Sequence, residues 1–460
     1  MLKRSRILAL ILVFVLVTTS ITFAAPNENG NMAFDKKVLA RIDADKALKH
    51  IKYLSETIGP RVAGTEEERQ AAQYIKAQLD KLGYNTQIQE FDIQNIIAQL
   101  TIDSMNNQTV KGNAATGSGY TDGDGITSHL VNCGLGATVQ DFPAEVVGKI
   151  ALVQRGAVSF AIKAENAVNA GAIGVLMYNN APGSLNPTLG SYASPIPYIS
   201  ISLEDGKAIV SEMANAPVEV TIKAELLTKS QNIIATREAK KSTDAGIVYV
   251  TAHYDSVPYA PGANDNASGA AMLLEFAKIL KAYPIDTEVR FIACGAEEIG
   301  LDGSYYYVSQ LSEDEINRSI ANFNMDMIAT SAEACNILYM DTVSGEENFM
   351  TDAAIEAGAR IGNNILEVGK GQSSDHRYFG EAGIPAGCFI WGDEEGNLEE
   401  WYHTPNDTIA MNISLERLQS AGEIVGSALY DVIRKQTPNL ERSNTRNTNI
   451  EKSFMYGVEE

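Results

Sequence analysis

Six residues of this 460-residue chain carry types and spacings that could do chemistry: His253, Asp265, Glu298, Asp326 and His403, with Glu297 beside the third of them. Three carboxylates and two imidazoles make a mixed nitrogen and oxygen donor set of the kind zinc accepts, and a further carboxylate next to a ligand is what metal-assisted hydrolysis needs as a base. Plainer readings stand beside this one. A lone histidine at a strand end is more often structural, and Asp265, in Gly262-Ala263-Asn264-Asp265-Asn266, could cap the helix that follows it.

Burial weighs against the plainer readings. Glu297 and Glu298 come straight after the apolar run Val289-Arg290-Phe291-Ile292-Ala293-Cys294, and two crowded carboxylates there are costly unless positive charge is near. Asp326 follows Ala321-Asn322-Phe323-Asn324-Met325, where an isolated carboxylate must neutralise itself or find a cation. His253 ends the apolar run Val248-Tyr249-Val250-Thr251-Ala252, and Asp255, two residues on, lies on the same side of an extended backbone and can accept the other imidazole N–H. Asp375-His376 opens a predicted helix and reads as a supporting or substrate-side pair rather than as ligands. His50 and His129 have no partners in pattern and read as surface or packing residues.

The elements that must position these residues alternate strand and helix beyond residue 230. Strands are expected over 232–236, 246–252, 288–294, 321–325 and 384–391, with helices over 268–283, 347–361 and 415–433. Such alternation predicts an α/β fold with a mostly parallel sheet covered by helices on both faces, and ligands in open sheets of this kind gather beyond the carboxyl ends of the strands. Upstream, Thr65 with Glu68 forms a capping-box signature for a helix reaching Gly83, and a strand is expected over 86–93. From about Gly112 to Glu225 the texture changes to Gly, Ser, Asn and Pro with short β-like runs, as in an inserted domain.

The stretches Gly148-Lys149-Ile150-Ala151-Leu152-Val153-Gln154-Arg155-Gly156 and Ile196-Pro197-Tyr198-Ile199-Ser200 resemble the protease-associated domain inserted in several secreted and vacuolar peptidases, where it is not catalytic. The larger pattern is His-x-Asp, an Asp twelve residues after the His, Glu-Glu, an Asp twenty-eight residues after the second Glu, and a last His. It resembles the co-catalytic di-zinc aminopeptidases that include secreted leucyl aminopeptidases and aminopeptidase Y, as does Gly59-Pro60-Arg61-Val62-Ala63-Gly64-Thr65.

That resemblance implies a three-layer αβα zinc-peptidase fold with a mixed, mostly parallel sheet and two zinc ions per chain. It implies that His253 and Asp326 bind one ion, Glu298 and His403 the other, and that Asp265 bridges them. Glu297 is then the general base acting on a bridging water, and Tyr402 an oxyanion donor. The expected activity is an aminopeptidase with apolar or broad preference, acting on peptides with a free N-terminus. The alternatives are a carboxypeptidase of the glutamate-releasing type, a single-zinc acyl-transfer enzyme of similar fold, and a non-catalytic binding protein on the same scaffold.

Composition bounds the address. Lys3, Arg4 and Arg6, an apolar run from Ile7 to Val17, and Thr22-Phe23-Ala24-Ala25 form the three parts of a secretory signal peptide over 1–24. The run falls short of the roughly 18 apolar residues a spanning helix needs. A secreted protein is therefore expected, with no membrane association after cleavage. The formal charge of −22 becomes −25 once three positive residues leave with the signal peptide, a balance that repels nucleic acid and anionic lipid. The four cysteines are too few for a disulfide framework and read as buried thiols. The expected organisation is signal peptide 1–24, catalytic N-terminal part 33–111, protease-associated insert 112–225, catalytic domain 226–437 and a polar, disordered tail 438–460, in a monomer.

Overall fold

The computed structural model describes residues 35–103, 107–183, 185–239, 245–434 and 450–452. The expected signal peptide lies outside the described residues, as does all of the expected tail except 450–452. In that short piece Ile450 packs, half-buried, beside the core, and Lys452 pairs with Asp302.

Seven strands come first: β1 (Asn85–Ile102), β2 (Gln108–Val110), β3 (Asn113–Ala114), β4 (Ile126–Asn132), β5 (Ile150–Gln154), β6 (Gly174–Tyr178) and β7 (Tyr198–Ile201). Seven follow: β8 (Glu219–Arg237), β9 (Ile247–His253), β10 (Glu288–Cys294), β11 (Ser319–Met325), β12 (Ile337–Thr342), β13 (Leu366–Lys370) and β14 (Ala386–Gly392). They join edge to edge in the order β13-β12-β14-β11-β9-β10-β8-β4-β5-β6-β7-β3, with β1 against β8 and β2 against β1.

The catalytic half is the mixed, mostly parallel sheet expected. Strands β10, β9, β11 and β14 run parallel, and antiparallel β8 and β12 flank them. Alternation along β9 sends Val248 and Val250 into the apolar layer beneath one face and Ile247 and Tyr249 into the layer on the other. Burying each such side chain stabilises by about 1.5–3 kcal/mol. The first layer is closed by the helix Ala267–Lys281, which is buried on almost every side, and by Ala44–Lys52 and Leu415–Arg434. The second is closed by Asp302–Ser309 and His376–Glu381.

The insert is tied in by a long antiparallel ribbon. Strand β1 continues nine residues past the expected end at 93, pairing with β8 from Asn85 opposite Thr236 to Ile102 opposite Val220, with a register shift between Asp92 and Asn95. One end of β8 pairs with β10 and the other with β4, so a single two-stranded ribbon belongs to both halves. All four cysteines are free and buried, as the sequence suggested.

Candidate active site

His253 is the last residue of β9 and stands in register with Cys294, the last of β10; Asp326 follows Met325, the last of β11. Three neighbouring parallel strands thus deliver His253, the Glu297-Glu298 pair and Asp326 to one carboxyl-end edge. Loops deliver the rest, Asp265 ahead of the helix Ala267–Lys281 and His403 after β14. Left-handed backbone marks this edge at Ala296 (φ 55°), Met327 (φ 52°) and His403 (φ 56°), conformations that non-glycine residues hold only where surrounding contacts enforce them.

The five residues converge. Asp265 places Oδ1 3.3 Å from Nε2 of His253 and Oδ2 3.3 Å from Nε2 of His403. Asp326 Oδ1 is 3.2 Å from His253 Nε2, and Glu298 Oε2 is 2.9 Å from His403 Nε2. Glu297 stands a little further off, 4.0 Å from His253 Nε2. His253, Glu297 and Asp326 can bring one donor atom each within 4.8 Å of one another, as can His253, Asp265 and Glu298. The capping role open to Asp265 falls instead to Asn266, whose side chain accepts the N–H of Gly269 and donates to the carbonyl of Met325. The helix comes so close to β11 here that a Cβ on Gly269 would stand 2.3 Å from that same carbonyl oxygen.

The supporting contacts are mostly to main chain. Asp255 Oδ1 lies 3.5 Å from His253 Nδ1, while its two oxygens accept the N–H groups of Glu297 and Glu298 at 3.1 and 3.2 Å. Asp407 accepts the N–H groups of Asn264 and Asp265 at 2.9 and 3.0 Å. Arg61, fully buried, donates to the carbonyls of Leu54, Gly59, Tyr254, Pro261 and Gly262. Sequence reasoning gave no role to Arg61, Asp407 or Glu399, although the first sits inside a motif it quoted. Asp375 is buried, with no hydrogen bond to either carboxylate oxygen among the described residues, and the neighbouring His376 lines the cavity and bonds the carbonyl of Gly371. The ring of Tyr402, 38% exposed, stacks on that of His403 at 3.7 Å between centroids.

The donor set fits a cation. Burial and the charge of Asp265 push Glu298 up to about 7, and one of its oxygens has no partner. Burial alone would lower His403, but Glu298 and Asp265 outweigh it and raise the imidazole to about 10. Among the described residues no lysine or arginine makes an ion pair with these four carboxylates, whose side chains are buried beside two imidazoles, a charge arrangement that divalent cations stabilise. One cavity holds all six residues with Tyr402 and is walled by Met327, Ile390 and Leu398. A second, of about 560 Å³, opens from Glu298, Tyr402 and His403 and runs between Val62, Ile96, Val257 and Ile299 on the catalytic side and Asn113, Thr116 and Pro187 of the insert.

An α/β sheet with clustered imidazoles and carboxylates at its carboxyl-end edge, beside a substrate-sized groove, defines a metallopeptidase. The chain belongs to peptidase family M28, whose model matches residues 232–429, and a protease-associated domain model matches 111–209. It is 44% identical over 398 residues to aminopeptidase YwaD of Bacillus subtilis, covering 85% of this chain and 86% of that one. Leucine aminopeptidase 2 of Trichophyton rubrum is 30% identical over 70% of each chain. Among solved structures, a zinc aminopeptidase from Bacillus subtilis superposes with a TM-score of 0.75 at 42% identity over 88% of this chain and 99% of that one. An aminopeptidase from Aneurinibacillus gives 0.63 at 38% identity over 88% and 98%.

Proposed function

We propose that this chain is a secreted, monomeric zinc aminopeptidase that uses two zinc ions per chain. The observation that carries the reading is Asp265, whose two oxygens address the two histidines at equal distances, as a carboxylate shared between two cations must. His253 and Asp326 would hold one ion, Glu298 and His403 the other, with Asp265 common to both. Zinc, when bound, acidifies a water molecule and polarises the scissile carbonyl.

The remaining work belongs to side chains. Glu297 is buried and beside the cluster without being drawn to the histidines as closely as Asp265 or Glu298. It takes the proton of the attacking water and returns it to the departing amine. Tyr402 lines both cavities, and its hydroxyl donates to the carbonyl oxygen as charge develops there. Asp255 and Asp407 orient the loops through their N–H groups. The peptide beyond the scissile bond leaves along the larger groove, part of whose wall is the insert.

The test pairs metal analysis with substrate choice. Two zincs per chain and cleavage of aminoacyl p-nitroanilides bearing a free amine are expected. Cleavage restricted to N-blocked dipeptides would favour the glutamate-releasing carboxypeptidase, and one zinc per chain the acyl-transfer enzyme.

A further inference from the structure

Beyond Ile93, strand β1 runs along the larger groove and turns an edge to it. Asn95, Ile96, Ile97, Ala98 and Gln99 all line the space. A strand that turned one face to a cavity would line it with every second residue, so five in a row mean that the main chain itself borders the groove. The near end of this stretch lies beside the site. Ile93 packs with Ala63 and Ala296, next to Glu297, and Asn95 Nδ2 donates to the carbonyl of Ala63 at 2.8 Å.

The strands on either side decide which groups reach the groove. Ala98 stands opposite Ala224 of β8. The carbonyl of Ala224 accepts the N–H of Thr121 at 2.8 Å and its N–H donates to the Thr121 hydroxyl at 3.0 Å, so both polar groups of Ala224 point away from β1. Ala98 therefore belongs to a non-hydrogen-bonded pair, and with Ile96 two residues before it directs its N–H and C=O to the other edge. On that edge β2 pairs with Leu100, Thr101 and Ile102, and the same register continued would set Gly112 opposite Ala98. The chain leaves β1 there instead. The N–H and C=O of Gly112 both bond the Tyr259 hydroxyl, at 3.1 Å each, and Asn113 and Ala114 turn to β7. Among the described residues no strand covers this edge over 95–99, and the stretch carries neither the charge nor the proline that usually guards an open edge.

We propose that this edge binds the main chain of the substrate: the peptide beyond the scissile bond lies in the groove as an added strand, exchanging hydrogen bonds with Ile96 and Ala98. The groove opens on Glu298, Tyr402 and His403, so the chain that enters it is the one attached to the bond being cut. Extended strand from Asn95 to Gln99 spans roughly 13 Å, an edge for about four residues. Because main-chain bonds supply the affinity, the substrates are extended peptides selected by length, with little dependence on the side chains beyond the scissile bond. This rests on the aminopeptidase reading and names the substrate class within it.

The experiment measures release of the first residue from leucyl peptides of two to six residues by the zinc-loaded protein. From two residues to five, kcat/KM should rise about tenfold or more and then level off, as a few main-chain bonds of ordinary strength imply. In the five-residue peptide, replacing single amide N–H groups beyond the scissile bond by ester oxygens should lower the rate about three- to tenfold at alternate positions only, because every second residue of an added strand faces its neighbour. Neither comparison needs a variant to fold. Ala98→Pro removes one groove-facing N–H and none that β8 uses, and should shrink the advantage of five residues over two by about threefold or more. Rates flat with length, as when a second copy of this chain or a strand of another protein fills the groove, would overturn the proposal. Ester effects absent or equal at every position, or an undiminished length advantage in the folded variant, would do the same. Failure to cleave leucyl p-nitroanilide and every peptide would instead remove the aminopeptidase reading.

Discussion

Asp407 holds Asp265 through its main chain, accepting the N–H groups of Asn264 and Asp265 on separate oxygens, so the carboxylate that addresses both histidines is aimed by another carboxylate. Asn412 donates to Asp407 and to Glu399, and Asn264 donates to Glu399, which fixes both partners from behind. Asp407→Ala should loosen the loop without removing a donor to the metals. Zinc affinity is expected to fall by about 10–100-fold, the usual effect of losing a group that orients a ligand, while folding is retained. Zinc content after dialysis against graded chelator checks this, and undiminished retention would remove Asp407 from the positioning role.

Glu297 and Glu298 are adjacent, but only Glu298 comes within 3 Å of a histidine nitrogen. Glu297→Gln should therefore keep the zinc content and lower kcat by about 10² or more, whereas Glu298→Gln should lose zinc. Metal analysis beside turnover separates the two. Zinc loss from Glu297→Gln would make it a ligand instead of a base.

The chemistry was legible because it sits where period and polarity clash. Strand β10 was read at its observed bounds, β9 to within one residue, and the carboxylates after β10 and β11 stood out against their apolar approach. Asp265 and Asn266 are both good caps, and only three-dimensional register decides that Asn266 takes the cap. The far half of β1 escaped because Gln94 to Gln99 shows no clean alternation, its pairing being supplied by β8 far along the chain. Strands β12 and β13 were missed outright, since short strands with half-exposed faces carry little pattern. Arg61 was invisible as a structural centre because its partners are carbonyls, which every residue has.

Arg61 bonds five carbonyls from three separate stretches of chain and lies near 0% exposure, so it ties the segment before the first long helix to the loop that carries Asp265. Burial draws it down to about 10, still charged at neutral pH. Arg61→Lys keeps the charge but offers three donors on a point in place of a planar fork. Leaving buried carbonyls unsatisfied should cost roughly 2–4 kcal/mol, read as a lower midpoint in urea with an unchanged slope. A variant as stable as the parent would show that water replaces the lost donors.

Glu68 gives the fold a pH dependence of its own. Its capping-box signature is only half made. Thr65 accepts the N–H of Glu68, but the Glu68 side chain turns inward, accepting from the Gly64 N–H at 2.7 Å and the Ser230 hydroxyl at 2.5 Å. Burial, and next the charge of Asp255, raise this carboxyl from 4.5 to about 8. A carboxyl whose folded value is raised binds its proton more tightly in the native state. Its contribution is therefore complete below about 4.5 and is lost as pH rises through about 8. Across that window the loss is on the order of 5 kcal/mol, at 1.36 kcal/mol per unit. Glu68→Gln, neutral at every pH, should lack it. Urea unfolding of metal-free protein between pH 5 and 9 tests the difference, because site carboxylates titrate in parent and variant alike and cancel. The parent should lose stability relative to the variant as pH rises; parallel curves would mean that Glu68 titrates near its ordinary value and that its inward turn carries no charge penalty.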